Sequence, residues 1–283
     1  LCYFIFMTRE VSYGENSSSR MQPRLEGLAV LLGVSVGELD PTNYPVSVQL
    51  PNEIHQPAQE ALQQTLGDGR ERQLSYGYKS GPWTVGVETG PKTDILETKD
   101  GKIYSRGLLQ SIYHSVLKRP LVALHTHPLM GDEVITAVMA RHQDRESWGA
   151  QETEDWYNHY RAAANLNTSF PSPEDVRVAH ARRPKELVHM LYTPFSAFMI
   201  VRNSLSGKRE SKFTSEKYLA TRQAIGQYKN VVANICSGDS VDEERSKLLE
   251  SLSVALCEEY SLFYSFDEPA DTKPPVLEKY SGE

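Results

Sequence analysis

Apolar positions in this chain recur with two different periods, and the places where the period changes mark the expected elements. Leu25, Leu28, Leu31 and Leu32 fall three or four apart, the spacing of one helix face, and Gly33 stands where such a helix would be capped. Residues 41–52 carry three prolines and read as a linker or extended arm. Ala58, Ala61, Leu62 and Leu66 mark a helix over 56–66, broken by GDGR. The period then shortens. RQLSYGY (72–78) and WTVGVET (83–89) read as strands, and Asp100-Gly101 inside ILETKDGKIYS reads as a hairpin turn. Ser105 opens a helix whose face is Leu108, Leu109, Ile112 and Val116, and Pro120 ends it. Leu121, Val122, Ala123 and Leu124 follow as a continuous apolar run, the pattern of a buried strand.

After that strand the pattern lapses. Residues 129–170 are acidic and aromatic with no alternation, and Glu152 to Ala164 reads as a helix carrying Trp156, Tyr157 and Tyr160. A long segment in this place is either a lid over a site or a solvated helical excursion. Residues 186–202 give two apolar strands around Tyr192-Thr193-Pro194, where the sheet is expected to finish. Two helices are expected at 214–235 and 241–262. The second bears Leu248, Leu249, Leu252, Leu256 and Tyr260 as a stripe that serves either domain packing or a homodimer seam. The tail from Asp267 is expected to be loose. The chain therefore divides into a disordered arm (1–20), a helical hairpin and linker (21–52), an α/β domain (53–205) with an insertion at 129–170, and C-terminal helices with a tail (206–283). Within the hairpin, LAVLLGVSVGEL resembles the last helices of repressor-type helix-turn-helix domains, although a plain helical hairpin fits the same residues.

Composition narrows the partners. Acidic residues outnumber basic ones 37 to 30, a net charge of −7, which argues against a broad electrostatic hold on nucleic acid. The 3 cysteines form no spaced pair, so neither a disulfide framework nor a thiolate metal site is expected, and a reducing, cytoplasmic setting is. The apolar opening LCYFIFM is too short to span a membrane, and no later run reaches that length.

The candidate chemistry lies where the apolar run ends, in His125-Thr126-His127-Pro128. Side chains in a strand alternate faces, so the two imidazoles point the same way, and Pro128 has no N–H to continue a ladder. This is half of a metal site, or two histidines at a strand tip. Downstream, Ser172-Pro173-Glu174-Asp175 has the form of a reciprocal helix cap, with proline at the first helical position. An aspartate in a helix's first turn also projects from a rigid place, as a metal ligand must. His114, His142, His159 and His189 are expected to be structural.

Together, a carboxylate before a strand, a strand ending in H-T-H-P, and P-S-x-x-D opening a helix resemble the JAMM (MPN+) metalloprotease family. The resemblance covers roughly residues 54–205 and implies a curved, mixed, cytidine-deaminase-like sheet flanked by helices around one catalytic Zn2+. It assigns His125, His127 and Asp175 as zinc ligands and Ser172 as a donor to the oxyanion. For the general base it offers Glu71, leading into RQLSYGY, with Glu88 as rival. It further implies hydrolysis of an amide or isopeptide bond in a protein or peptide substrate, often at the C-terminus of ubiquitin or a ubiquitin-like protein. In the family H-x-H-P and S-x-x-D usually lie close together, whereas here residues 129–170 separate them. Readings outside that activity are a non-catalytic MPN-like scaffold and a nucleic-acid-associated relative.

Overall fold

The structure is a computed structural model that describes residues 16–78, 83–92, 121–129, 131–140, 145–172, 175–176, 179, 187–205, 223, 240–256, 259–267 and 273–282. Its described strands are β1 (Ser47–Gln49), β2 (Arg70–Tyr78), β3 (Trp83–Lys92), β4 (Val122–Thr126), β5 (Val188–Tyr192), β6 (Ala197–Arg202), β7 (Tyr260–Ser265) and β8 (Val276–Lys279). They form one sheet in the order β1-β8-β7-β6-β5-β4-β2-β3. The described helices are α1 (Asn16–Leu32), α2 (Asn52–Asp68), α3 (Asp132–Met139), α4 (Ala150–Thr168) and α5 (Val241–Leu256).

Helices cover both faces of the sheet, which is why its central strands read as continuous apolar runs rather than as alternation. One face carries Leu74, Tyr76, Val122, Leu124, Val188, Met190 and Met199, packed against Leu28 and Leu31 of α1 and Ile54, Ala58 and Leu62 of α2. The other carries Leu191, Phe198, Ile200 and Leu262, packed against Ala163 and Leu166 of α4 and Leu248, Leu252 and Leu256 of α5. Gly27 of α1 lies so close to the sheet that an added Cβ would stand 2.5 Å from Tyr78 Cβ and 2.6 Å from Leu121 Cδ2. Gly27→Ala is therefore expected to destabilise the fold by about 1–3 kcal/mol despite alanine's better helix propensity. Urea denaturation of the two proteins checks this.

Only β4 and β5 run parallel among the described pairings. A parallel pair needs a long crossover, and the segment between Thr126 and Val188 supplies it. The stretch 129–170 is thus the obligatory connection of the two central strands. Its aromatic residues are used in packing: Trp148, Trp156, Tyr157 and Tyr160 surround Ile135 and Met139 of α3, and the Trp148 and Trp156 rings stack at 5.4 Å.

Several expectations need correction. Helix α1 begins at Asn16, so residues 16–20 are helical rather than disordered. Its apolar stripe, with Leu28 and Leu31, is built into the core over the sheet, and only a short 3-10 turn, Val36–Glu38, follows it. The proline-rich stretch 41–52 is not a plain linker. It contains a 3-10 turn, Pro41–Asn43, and then β1, which pairs with β8. The second C-terminal helix stops at Leu256, and Tyr260 opens β7. The helical spacing from Leu256 to Tyr260 is coincidental, since YSLFYS is aromatic and apolar enough to fill a buried strand beside β6. The sheet therefore does not finish at β6, and the tail, expected to be loose, provides β8 between β7 and β1. Leu248, Leu249, Leu252 and Leu256 are buried inside the chain, so this stripe serves domain packing. The hairpin at 95–105, the helix from Ser105, the helix at 214–235 and the arm before Asn16 lie outside the described residues. Among the described residues no helix is long and apolar enough to cross a membrane.

Candidate metal centre

Strand β4 is held on both sides, antiparallel to β2 and parallel to β5, with Val122 and Leu124 fully buried. Its alternation points Leu124 and Thr126 toward α2 and His125 toward α4. Past the strand end, the His127 N–H donates to the Tyr192 carbonyl at 3.4 Å, which continues the chain alongside β5. The two imidazoles thus emerge on one face, with ring centroids 5.0 Å apart.

Asp175 reaches them from the far end of the crossover. The Ser172 N–H donates to Asp175 Oδ2 at 2.6 Å, and the Asp175 N–H donates to Ser172 Oγ at 3.2 Å. This is the reciprocal cap expected from S-x-x-D, and helical backbone follows at Asp175, Val176 and Ala179. The capped turn fixes the carboxylate, whose Oδ1 lies 3.1 Å from His125 Nε2 and whose Oδ2 lies 3.6 Å from His127 Nε2. One ligand atom from each of His125, His127 and Asp175 lies within 4.8 Å of the others, a group able to hold a metal ion. The three side chains are 23, 13 and 21% exposed, so the cluster is largely buried but keeps some contact with solvent.

The electrostatics follow from this packing. Burial alone would lower the pKa of His127, but the Asp175 carboxylate, the charge of Glu71 and the Thr168 carbonyl outweigh it and raise the value. Burial alone would raise that of Asp175, but His125 and His127 hold it well below the usual carboxylate range. His127 Nδ1 lies 3.1 Å from the Thr168 carbonyl at the end of α4. A carbonyl only accepts, so Nδ1 carries the proton, and in the neutral ring Nε2 is the free lone pair facing Asp175.

The structure therefore brings His125, His127 and Asp175 together with Ser172 beside them. Glu71 belongs to the same neighbourhood. The β2–β4 register pairs Gln73 with His125, and two residues on it sets Glu71 opposite His127, close enough for its charge to act on that ring. Glu88 is placed differently: it pairs with Gln73 from β3, a strand further out. Of the remaining histidines, His159 is exposed on α4 with Nδ1 donating to the Asp155 carbonyl at 2.7 Å, His189 lies within β5, and His114 and His142 lie outside the described residues. One contributor has no signature in the sequence: the Thr168 carbonyl, a backbone group.

The donor set suits a borderline divalent cation: two imidazole nitrogens and a carboxylate oxygen, the ligand types of catalytic zinc sites. One atom shows the fit directly. His125 Nε2 is buried and makes no aligned hydrogen bond, although Asp175 Oδ1 lies 3.1 Å from it. With the ring proton on Nδ1, the Nε2 lone pair would be available to a bound ion. Comparison with protein-family models, curated proteins and solved structures finds no match to the chain.

Proposed function

We propose that the protein is a zinc-dependent metallopeptidase of JAMM type that hydrolyses an amide or isopeptide bond in a protein substrate, ubiquitin-like conjugates being the first class to test. The observation that carries this reading is the convergence of His125, His127 and Asp175 from a strand tip and a distant helix start, with the charge of Glu71 reaching the same point. His125 Nε2, His127 Nε2 and an Asp175 oxygen would hold the ion. Zinc bound there would supply Lewis acidity, polarising the scissile carbonyl and lowering the pKa of water.

The other steps belong to the chain's own groups. Glu71 accepts the proton of the attacking water and returns it to the leaving amine. The Ser172 hydroxyl, which accepts from the Asp175 N–H, keeps its own proton to donate to the developing oxyanion. The capped turn holds Asp175, and the Thr168 carbonyl orients His127, so neither ligand reorganises during the reaction.

Metal analysis after loading with zinc, followed by incubation with a panel of ubiquitin-like conjugates with and without a chelator, tests the reading. About one equivalent of zinc and chelator-sensitive cleavage are expected; retention below about a tenth of an equivalent would remove the basis for metal chemistry. Full zinc occupancy with no cleavage of any conjugate or peptide would favour a non-catalytic scaffold.

A further inference from the structure

We infer that Thr126, the residue between the two histidines, is a positioning residue that holds β2 against β4 where their backbone ladder ends and so sets the separation of Glu71 from His127. This deepens the metallopeptidase reading and rests on it for its functional meaning.

The ladder between β2 and β4 runs from Tyr76–Val122 to Gln73–His125 and stops there. One position on, the Arg72 N–H donates to Thr126 Oγ1 at 3.0 Å instead of to a strand carbonyl. A side-chain hydroxyl has taken over from the backbone at the point where the strands approach the site. Thr126 is fully buried and its Oγ1 lies 2.6 Å from Thr65 Oγ1 of α2, so the bridge is tied to the helix below.

Arg72 is anchored to the same helix end. Its guanidinium meets both Asp68 oxygens at 2.7 Å, and its Nε donates to Gln64 at 3.2 Å. The Asp68 carboxyl is held well below its usual range, chiefly by the hydrogen bonds from Arg72. The turn that brings α2 back into β2 passes through Gly69, at φ 69°, a backbone region that glycine enters without penalty. The backs of Arg72 and Thr126 are thus fixed to one helical turn, while Glu71 and His127, their chain neighbours, face the other side of the sheet. Such a lock on the rear face dictates how far apart the two functional groups stand on the front.

The test uses the full metal-free chain, Co2+ as the probe, and the variants Thr126→Val and Thr126→Ser. Co2+ titration is followed by its visible ligand-field bands, which report affinity and coordination geometry without requiring turnover. Hydrogen exchange at the Arg72 amide is measured in parallel. Serine keeps the hydroxyl and is expected to match wild type in both. Valine keeps the shape and loses the hydroxyl; it is expected to bind Co2+ about 10- to 100-fold more weakly, with altered bands and faster exchange at Arg72. Wild-type affinity, bands and exchange in Thr126→Val would overturn the inference. Should that variant not fold, Thr65→Val, which removes the partner hydroxyl from α2, must show the same changes in weaker form or the inference falls. If wild type takes up no Co2+, the metallopeptidase reading is what fails, and the clamp is judged by the Arg72 amide alone.

Discussion

Glu71→Gln is expected to retain zinc at wild-type stoichiometry and to lower amide hydrolysis by about 10²- to 10⁴-fold. Glutamine preserves the size of the side chain but cannot take a proton, so the loss falls on the proton-transfer step. Glu71 is preferred to Glu88 because of where the sheet puts each of them. Glu71 falls one strand from the histidines, opposite His127, whereas Glu88 pairs with Gln73 and falls two strands away, roughly 9–10 Å from the β4 backbone. Glu88→Gln is accordingly expected to remain near the wild-type rate. A readout independent of turnover accompanies this. The charge of Glu71 helps raise the pKa of His127, so in the metal-free protein Glu71→Gln is expected to shift the His127 titration, followed by NMR, toward lower pH. An active Glu71→Gln beside an inactive Glu88→Gln would reverse the assignment. Loss of zinc from Glu71→Gln would make Glu71 a ligand rather than a base.

Much of this site was legible in one dimension because its parts obey local rules. Alternation within a strand places His125 and His127 on one face without knowledge of the fold, and the cap at Ser172 fixes the orientation of Asp175 relative to its own backbone. What local rules cannot supply is the distance between the two parts, since nothing in either motif reports where the long crossover between Thr126 and Val188 returns. That distance depends on the parallel pairing of β4 with β5, a non-local choice. The errors at the sheet's ends have the same origin. Ser47–Gln49 and Val276–Lys279 are short strands with weak patterns of their own, and each is a strand because the other is available to pair with it. Leu256 and Tyr260 share a helical spacing, yet the helix ends between them because the buried position beside β6 outweighs local propensity. The sequence of 129–170 leaves a lid and a solvated helical excursion equally open, and only the docking of α4 on α3 shows that its aromatic residues cover Ile135 and Met139. Backbone contributors such as the Thr168 carbonyl leave no trace in residue identities.

Asp175→Asn is expected to abolish zinc-induced stabilisation and to change how the metal-free protein responds to pH. Asparagine can still accept the Ser172 N–H, so the cap survives in large part, but the negative charge facing the imidazoles is gone. In the wild-type apoprotein two linkages act in opposite directions. The raised pKa of His127 contributes stability that is complete below about pH 6.5 and is lost as pH rises through the higher folded value. The depressed pKa of Asp175 contributes stability that is present above about pH 3.9 and is lost as pH falls through the lower folded value. The apoprotein should therefore gain most from this cluster between about pH 4 and 6.5, where an ionised carboxylate faces a protonated imidazole. Zinc requires the neutral imidazole, so metal and proton compete for the same nitrogens. The difference in Tm between zinc-loaded and chelator-treated protein should accordingly be small near pH 5 and grow as pH rises above neutrality, reaching the equivalent of about 2.7 kcal/mol at a hundredfold excess of free zinc over Kd. In Asp175→Asn the mildly acidic gain should shrink and the zinc-dependent difference should vanish at every pH. Thermal denaturation from pH 4.5 to 8, with and without zinc, reads both effects. A zinc-dependent shift that stays constant across that range would mean that the ion binds without displacing a proton from His127. A shift that persists in Asp175→Asn would mean that the carboxylate is a cap and an ion-pair partner but no ligand.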